Sequence, residues 1–212
     1  MLRQQSYYKL FVFLCVIYML YALVMNLVVH PNAETFLSHK TDLSHELKPQ
    51  IWLKVMYVHV AFACLSMASG LINFVSRNHE KHRRFHRKNG YFYVFSVFMV
   101  VLTSGYMAPY ATGGRVSSVG LNVLSMIWMA ATVIAIVHIR KKRTIQHRRW
   151  MIRSYAFCFT NLLIHLFTSA LHQAGVDYVN SYMIGLYGAI ATVLVAPEVI
   201  FRVQGRRKTT GR

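Results

Sequence analysis

Six runs of about 20 mostly apolar residues dominate the sequence, and each is long enough to cross a bilayer as a helix. They cover residues 8–29, 51–75, 91–111, 119–139, 154–171 and 181–201. Each run is too long for a barrel strand, and backbone groups in lipid must be hydrogen-bonded internally, so a helix is the favoured state. We therefore predict an all-α, polytopic membrane protein whose six transmembrane helices form one bundle and one domain over residues 1–212.

The composition agrees with this class. Hydrophobic residues make up 55% of the 212 residues and charged residues only 14%, against roughly a quarter charged in soluble domains. The first run is too long for a signal peptide and lacks a small-x-small cleavage site, which favours a permanent helix. The three cysteines, Cys15, Cys64 and Cys158, fall inside predicted helices, so the sequence indicates no disulfide framework.

The distribution of basic residues predicts the orientation. Segments 1–9, 76–90, 140–153 and 202–212 hold 20 of the 24 Lys and Arg residues. The positive-inside rule then places both termini in the cytoplasm, with 202–212 as a basic, disordered tail. Membrane topology accounts for the net charge of +18, so no nucleic-acid partner is needed. These clusters are also expected to attract anionic lipid headgroups.

A short pattern occurs twice, each time just before an apolar run. "HRRFHRKN" spans residues 82–89 and "HRRWMIRS" spans residues 147–154. The two match at His, Arg, Arg, an aromatic residue, a basic residue and a polar last position. Topology alone requires only positive charge, so the repeated order indicates a further role. The last matched residues, Asn89 and Ser154, are predicted to be N-caps of the third and fifth helices.

With "HRKNGYFYV" followed by "HRRWMIRSYAF", the chain resembles the bacterial membrane-protein family catalogued as domain of unknown function 2306, over roughly residues 55–170. The resemblance implies an inner-membrane location and no established activity. Tyr91 replaces the usual Arg after the glycine, and His165 stands where relatives tend to carry Arg. His59 and Gly70 also fit the family pattern. The motif residues are His86, Arg87, Gly90, Tyr93, His147, Arg148, Trp150, Met151, Arg153, Ser154 and Tyr155.

Two histidines lie on polar stripes within the predicted helices. His59 lies about 12 Å and His165 about 10 Å below the outer boundary of the bilayer, counted at 1.5 Å per residue. Ionisable groups at this depth are candidates for function. The pair is suited to axial ligation of a haem b, to binding another metal or to relaying a proton, and Asn161 and His172 lie nearby. The alternative is that each histidine donates a structural hydrogen bond within the bundle.

Two other groups have simpler explanations. His39, Asp42 and His45 have a spacing that could hold a divalent metal, although the segment lacks a firm motif and reads equally as a solvated loop. Glu198 and Arg202 are spaced for an i,i+4 ion pair.

Three functions therefore remain open. The first is a small haem-b redox protein that exchanges electrons with quinone or a membrane redox partner. The second is a small-solute transporter, and the third is an accessory subunit of a membrane complex with basic cytoplasmic motifs. Whether the protein is an enzyme is left open.

Overall fold

The structure is a computed structural model that describes residues 2–25, 48–75 and 83–210. Within these ranges every regular element is helical and no strand occurs, which confirms the all-α class. The helices are α1 (Leu2–Val24), α2 (Pro49–Val75), α3 (Arg83–Met107), α4 (Gly114–Arg140), α5 (Thr144–Ala156), α6 (Thr160–Gln173) and α7 (Tyr178–Thr210), with 3₁₀ turns at Ala108–Tyr110 and Phe157–Phe159.

The described helices have the length and apolar character of membrane spans. Five qualify, and a shorter apolar helix, Leu10–Val24, lies within the first predicted run. A polytopic helical membrane protein is thus confirmed. The five are Pro49–Phe74, Arg83–Tyr110, Gly114–Arg140, Thr144–Gln173 and Tyr178–Val203.

Two helices begin earlier than the apolar runs suggest, so the predicted N-caps are wrong. Asn89 lies inside α3, which the structure describes from Arg83, and Ser154 lies near the end of α5, which begins at Thr144. The reason is that Arg and Lys are good helix formers, so the basic motifs continue as helix rather than ending as loops. The fifth predicted span therefore consists of α5, the 3₁₀ turn and α6.

The described chain divides into two compact units, Met1–Tyr110 and Ala111–Arg212. In the first, α2 packs along α3 and α1 packs against α2. Trp52 and Met56 are buried together, with Met107 and Tyr110 from the end of α3 packed against them. Most apolar side chains of α1 are exposed, as expected of a helix that faces lipid, whereas Cys15 is buried. All three cysteines are free.

In the second unit, α5 packs on α4 and α6 packs closely on α7. Ile164, Leu186 and Ala189 form the buried centre of the α6–α7 contact. The turn into α4 uses left-handed backbone at Gly113 (φ 83°) and Gly114 (φ 62°), a conformation that glycine adopts without steric strain.

The two units contain long helices of equal length at matching positions in the sequence. α2 and α4 each contain 27 residues, and both the start and the end of α4 lie 65 residues after those of α2. The two His-Arg-Arg motifs are separated by the same 65 residues. The motif thus follows the same kind of long helix in each unit, and its contacts can be compared between them.

Candidate functional site

The second motif lies in α5, and its histidine binds the preceding helix. His147 Nδ1 lies 2.8 Å from the carbonyl oxygen of Ala135 in α4. A carbonyl only accepts hydrogen bonds, so Nδ1 carries the proton, and a neutral ring then keeps its lone pair on Nε2. His147 therefore holds α5 against α4.

Ser154 makes a second contact with α4, one helical turn closer to the N-terminal end of α4. Its Oγ lies 2.7 Å from Thr132 Oγ1, and both residues are completely buried. The Thr132 hydroxyl also lies 2.9 Å from the Trp128 carbonyl, so Thr132 links Ser154 of α5 to the backbone of α4. A buried polar pair of this kind fixes the register of two packed helices.

Aromatic packing completes this interface where α5 passes into the 3₁₀ turn. Phe157 stacks on Trp128 with ring centroids 6.0 Å apart and planes inclined by 11°. Both rings are buried, as is Tyr155. Trp128, Thr132 and Ala135 lie at i, i+4 and i+7 along α4, so α5 docks on a single stripe of that helix.

The opposite side of α5 faces α7. Arg153 Nε donates to Glu198 Oε1 at 2.7 Å, and its guanidinium lies 4.7 Å from the centroid of Trp150 and 5.1 Å from that of Phe201. Arg149 lies 5.8 Å from the Phe201 centroid. The second motif thus joins three helices, with His147 and Ser154 on α4 and the two arginines on α7.

The first motif makes a corresponding contact in its own unit. Asn89 Nδ2 donates to the Ser69 carbonyl and to Asn73 Oδ1 of α2, both at 2.8 Å. Asn89 and Ser154 are the last matched residues of the two motifs, and each joins its helix to the long helix before it. Tyr93, one turn further along α3, is completely buried.

His59 lies in the middle of α2 and is half-buried. Its Nδ1 lies 2.9 Å from Thr103 Oγ1 of α3. The Thr103 hydroxyl donates its proton to backbone carbonyls of its own helix, with Met99 O at 2.7 Å and Val100 O at 3.0 Å. Thr103 therefore presents a lone pair to the imidazole, so Nδ1 carries the proton and the neutral ring keeps its lone pair on Nε2.

Comparison of the chain with known protein families found one match. A family model described as predicted membrane protein (DUF2306) matches residues 56–201 of the 212. The chain belongs to the DUF2306 family. No curated protein and no solved structure matches the chain.

Several motif residues of this DUF2306 protein lie on the outside of their helices. Arg87, Arg148 and Tyr91 are exposed, whereas His86, Trp150 and Met151 are half-buried. Tyr91, which replaces the usual Arg, is thus at a surface position. A β-carbon at Gly90 would lie 3.7 Å from Asn73 Nδ2, an ordinary contact, so packing alone does not require glycine there.

His165, the second histidine predicted to bind a haem or metal, lies at an exposed position. His165 is exposed on α6, and so are Asn161 and Ser169 one turn to either side, which makes one polar stripe. His172 lies at the end of α6, where Nδ1 is 3.0 Å from the Val176 carbonyl and the ring packs edge-on against Tyr178. His165 is thus exposed in the described structure, whereas His59 is half-buried and hydrogen-bonded.

Two further groups were predicted from the sequence, a metal-binding segment and an ion pair. His39, Asp42 and His45 lie outside the described residues. Within the described ranges no group of three or more His, Cys, Asp or Glu side chains is placed to hold a metal ion. Glu198 forms its short ion pair with Arg153 rather than with Arg202, the partner that the i,i+4 spacing suggested.

Sequence reasoning missed the partners of the motif residues. Thr103, Thr132 and Asn73 each bind a motif or stripe residue from another helix. A weak signal exists, because each is a polar residue inside an apolar run, where buried polar groups require hydrogen-bond partners. Which partner each one meets depends on the rotation of two helices, and the apolar pattern does not encode that rotation.

Proposed function

We propose that this DUF2306 protein is a small redox membrane protein that binds haem b through His59. A bound haem supplies one-electron redox chemistry, and the chain's own residues orient the ligand and exclude water around it. The observation that carries the proposal is the hydrogen bond from His59 Nδ1 to Thr103 Oγ1.

That hydrogen bond supports ligation for a chemical reason. Histidines that ligate a metal almost always donate their other ring N–H to a protein acceptor, which fixes the tautomer and the ring orientation. Thr103 is such an acceptor because its proton is directed to backbone carbonyls of its own helix. Axial haem ligation needs only two side chains, so a cluster of three metal ligands is not required.

His165 would be the second residue to hold the haem iron, and this assignment rests on its position in the sequence. Its expected depth in the bilayer is close to that of His59, and its imidazole lies on the exposed polar stripe of α6. An imidazole on the surface of a membrane helix is costly unless a partner group covers it. Ligation to iron would satisfy that requirement.

The same proposal covers the membrane location, the orientation and the redox partners of the protein. We place the chain as a single domain in the cell inner membrane, and the charge distribution favours both termini in the cytoplasm. Electrons would then pass to or from a quinone or a membrane redox partner, and the exposed basic side chains at the inner ends of the helices would face anionic lipid headgroups.

One observation favours a second candidate function. The exposed stripe of Asn161, His165 and Ser169 on α6 also suits a polar path for a small solute, or a contact with a helix of a larger membrane complex. A transporter or an accessory subunit is the candidate if the purified protein carries no haem.

A reduced-minus-oxidised visible spectrum of protein purified from haem-replete cells tests the redox proposal. We expect a sharp haem b band that is lost in His59→Ala and in His165→Ala, because each variant removes one axial ligand. The control is His138→Ala, at the end of α4, which retains the band. A colourless preparation contradicts the proposal.

A conservative variant then separates ligation from packing. Thr103→Val keeps the volume at that position but removes the acceptor of the His59 N–H, so the haem should remain bound with an altered reduction potential. Thr168→Val, a buried threonine in α6 whose hydroxyl has no hydrogen-bond partner in the described structure, should leave the potential unchanged. Equal potentials in the two variants would contradict the assigned role of Thr103.

A further inference from the structure

We propose that the second unit contains a binding site for the phosphate group of an anionic phospholipid, formed by Arg149, Arg153 and Arg202 around Glu198. The site is independent of the proposed haem. It explains why the second motif places arginine on the side of α5 that faces α7, after its histidine and serine have already joined α5 to α4.

The first support is the arrangement of the three guanidinium groups. Arg153 is fixed by its 2.7 Å bond to Glu198 and by the rings of Trp150 and Phe201. Arg149 lies over the Phe201 ring, and Arg202 follows Glu198 by one turn of α7, where its charge acts on the Glu198 carboxylate. Aromatic rings and a carboxylate thus hold guanidinium groups in place before any ligand binds.

The second support is the net positive charge of the cluster. Three guanidinium groups around one carboxylate leave a surplus of two positive charges. Among the described residues only Asp177 and Glu198 are acidic, and Asp177 is occupied at the start of α7 by the backbone N–H groups of Val179 and Asn180. No described acidic residue is therefore left to neutralise the surplus, and an anion from outside is favoured.

The third support is the position of the cluster along the membrane. Glu198 lies 20 residues after Tyr178, about 30 Å along α7 at 1.5 Å per residue, and the hydrocarbon core is about 30 Å thick. With Tyr178 placed at one boundary of the bilayer, this length puts the cluster close to the lipid phosphates of the other leaflet. Trp150 and Phe201 are half-buried there, as aromatic residues at a membrane interface commonly are.

The chemistry of these side chains selects the ligand. Guanidinium groups bind phosphate oxygens with paired N–H donors, more specifically than a lysine ammonium does. A quarter of the Arg153 side chain and about half of the Glu198 side chain are exposed, so a ligand can reach the cluster. A phosphodiester with net negative charge fits, and a zwitterionic headgroup, whose ammonium the surplus would repel, fits less well.

Native mass spectrometry of the detergent-solubilised full chain tests the site, with phosphatidylglycerol and phosphatidylcholine as probes. We expect saturable binding of phosphatidylglycerol, weakened by about tenfold or more in Arg149→Gln/Arg202→Gln, since each basic residue near a membrane surface contributes about 1 kcal/mol. Phosphatidylcholine should bind more weakly and with no dependence on the two arginines.

The matched control is Arg143→Gln/Arg148→Gln, which removes the same two charges from exposed positions of the α4–α5 turn and α5. It should retain nearly full affinity, and thermal unfolding should show that both double variants are folded. Equal losses in the two variants would overturn the site, because binding would then follow total charge. Saturable binding of inorganic phosphate that depends on Arg149 and Arg202, without binding of the lipid, would overturn the lipid assignment.

Discussion

Gly185→Ala is expected to destabilise the protein by about 1–3 kcal/mol, the range for an added methyl group that a packed interior cannot absorb. A β-carbon on Gly185 of α7 would lie 2.8 Å from Thr168 Oγ1, 3.1 Å from the Thr168 backbone nitrogen and 3.2 Å from the Ile164 carbonyl oxygen. Two of these three atoms belong to the backbone of α6, which a rotamer change cannot move. Thermal unfolding in detergent, followed by circular dichroism, measures the loss.

Gly105→Ala is the matched control for that experiment. Gly105 lies in α3 and is exposed, and outside its own helix backbone no atom of the described residues lies within 4 Å of the position where its β-carbon would be. Alanine favours a helix over glycine by up to about 1 kcal/mol, so this variant should be neutral or stabilised. The two substitutions are chemically identical and opposite in expected sign. Equal effects would contradict the close contact of α6 and α7.

Trp128→Ala is expected to cost about 3–5 kcal/mol, the usual range for removal of a buried tryptophan. Trp128 is buried in α4, carries the stacked Phe157 ring and accepts the Thr132 hydroxyl on its carbonyl. The variant opens a cavity under the junction between α5 and the 3₁₀ turn. Loss of folded protein, measured by thermal unfolding or size-exclusion chromatography, would report it.

Trp128→Phe distinguishes ring packing from hydrogen bonding at the same position. The Trp128 indole nitrogen is buried and has no hydrogen-bond partner in the described structure. Phenylalanine therefore removes an unpaired donor while keeping a ring to stack on Phe157, and should cost much less than alanine. If Trp128→Phe is as damaging as Trp128→Ala, the stacking is not what stabilises this junction.

The apolar runs of the sequence predicted the helical, polytopic class because lipid leaves the backbone no other state. They did not predict where α3 and α5 begin, since basic residues continue a helix without contributing to an apolar run. Ser154 shows the consequence. Taken as an N-cap, it should bind its own backbone, whereas it binds Thr132 of another helix.

The candidate site was predictable in part for a similar reason. His59 stood out because an imidazole at membrane depth needs an explanation. Its partner Thr103 did not stand out, because threonine is common at helix contacts in membranes. Glu198 illustrates the same limit, since an i,i+4 neighbour can be read from the sequence, whereas the 2.7 Å bond to Arg153 depends on how α5 packs against α7.

Disulfide cross-linking tests most directly the central claim that each repeated motif docks its helix on the long helix before it. In a background with Cys15, Cys64 and Cys158 replaced by alanine, two cysteine pairs are introduced separately, Thr132→Cys/Ser154→Cys and Asn73→Cys/Asn89→Cys. A disulfide needs β-carbons about 4 Å apart, a separation that two hydroxyl side chains in hydrogen-bond contact approach directly and that two longer amide side chains reach after a small movement of the helices. Peptide mass spectrometry after mild oxidation in membranes should find both cross-links and none for Thr132→Cys/Arg148→Cys. A cross-link in the control pair, or in neither docking pair, would contradict the claim.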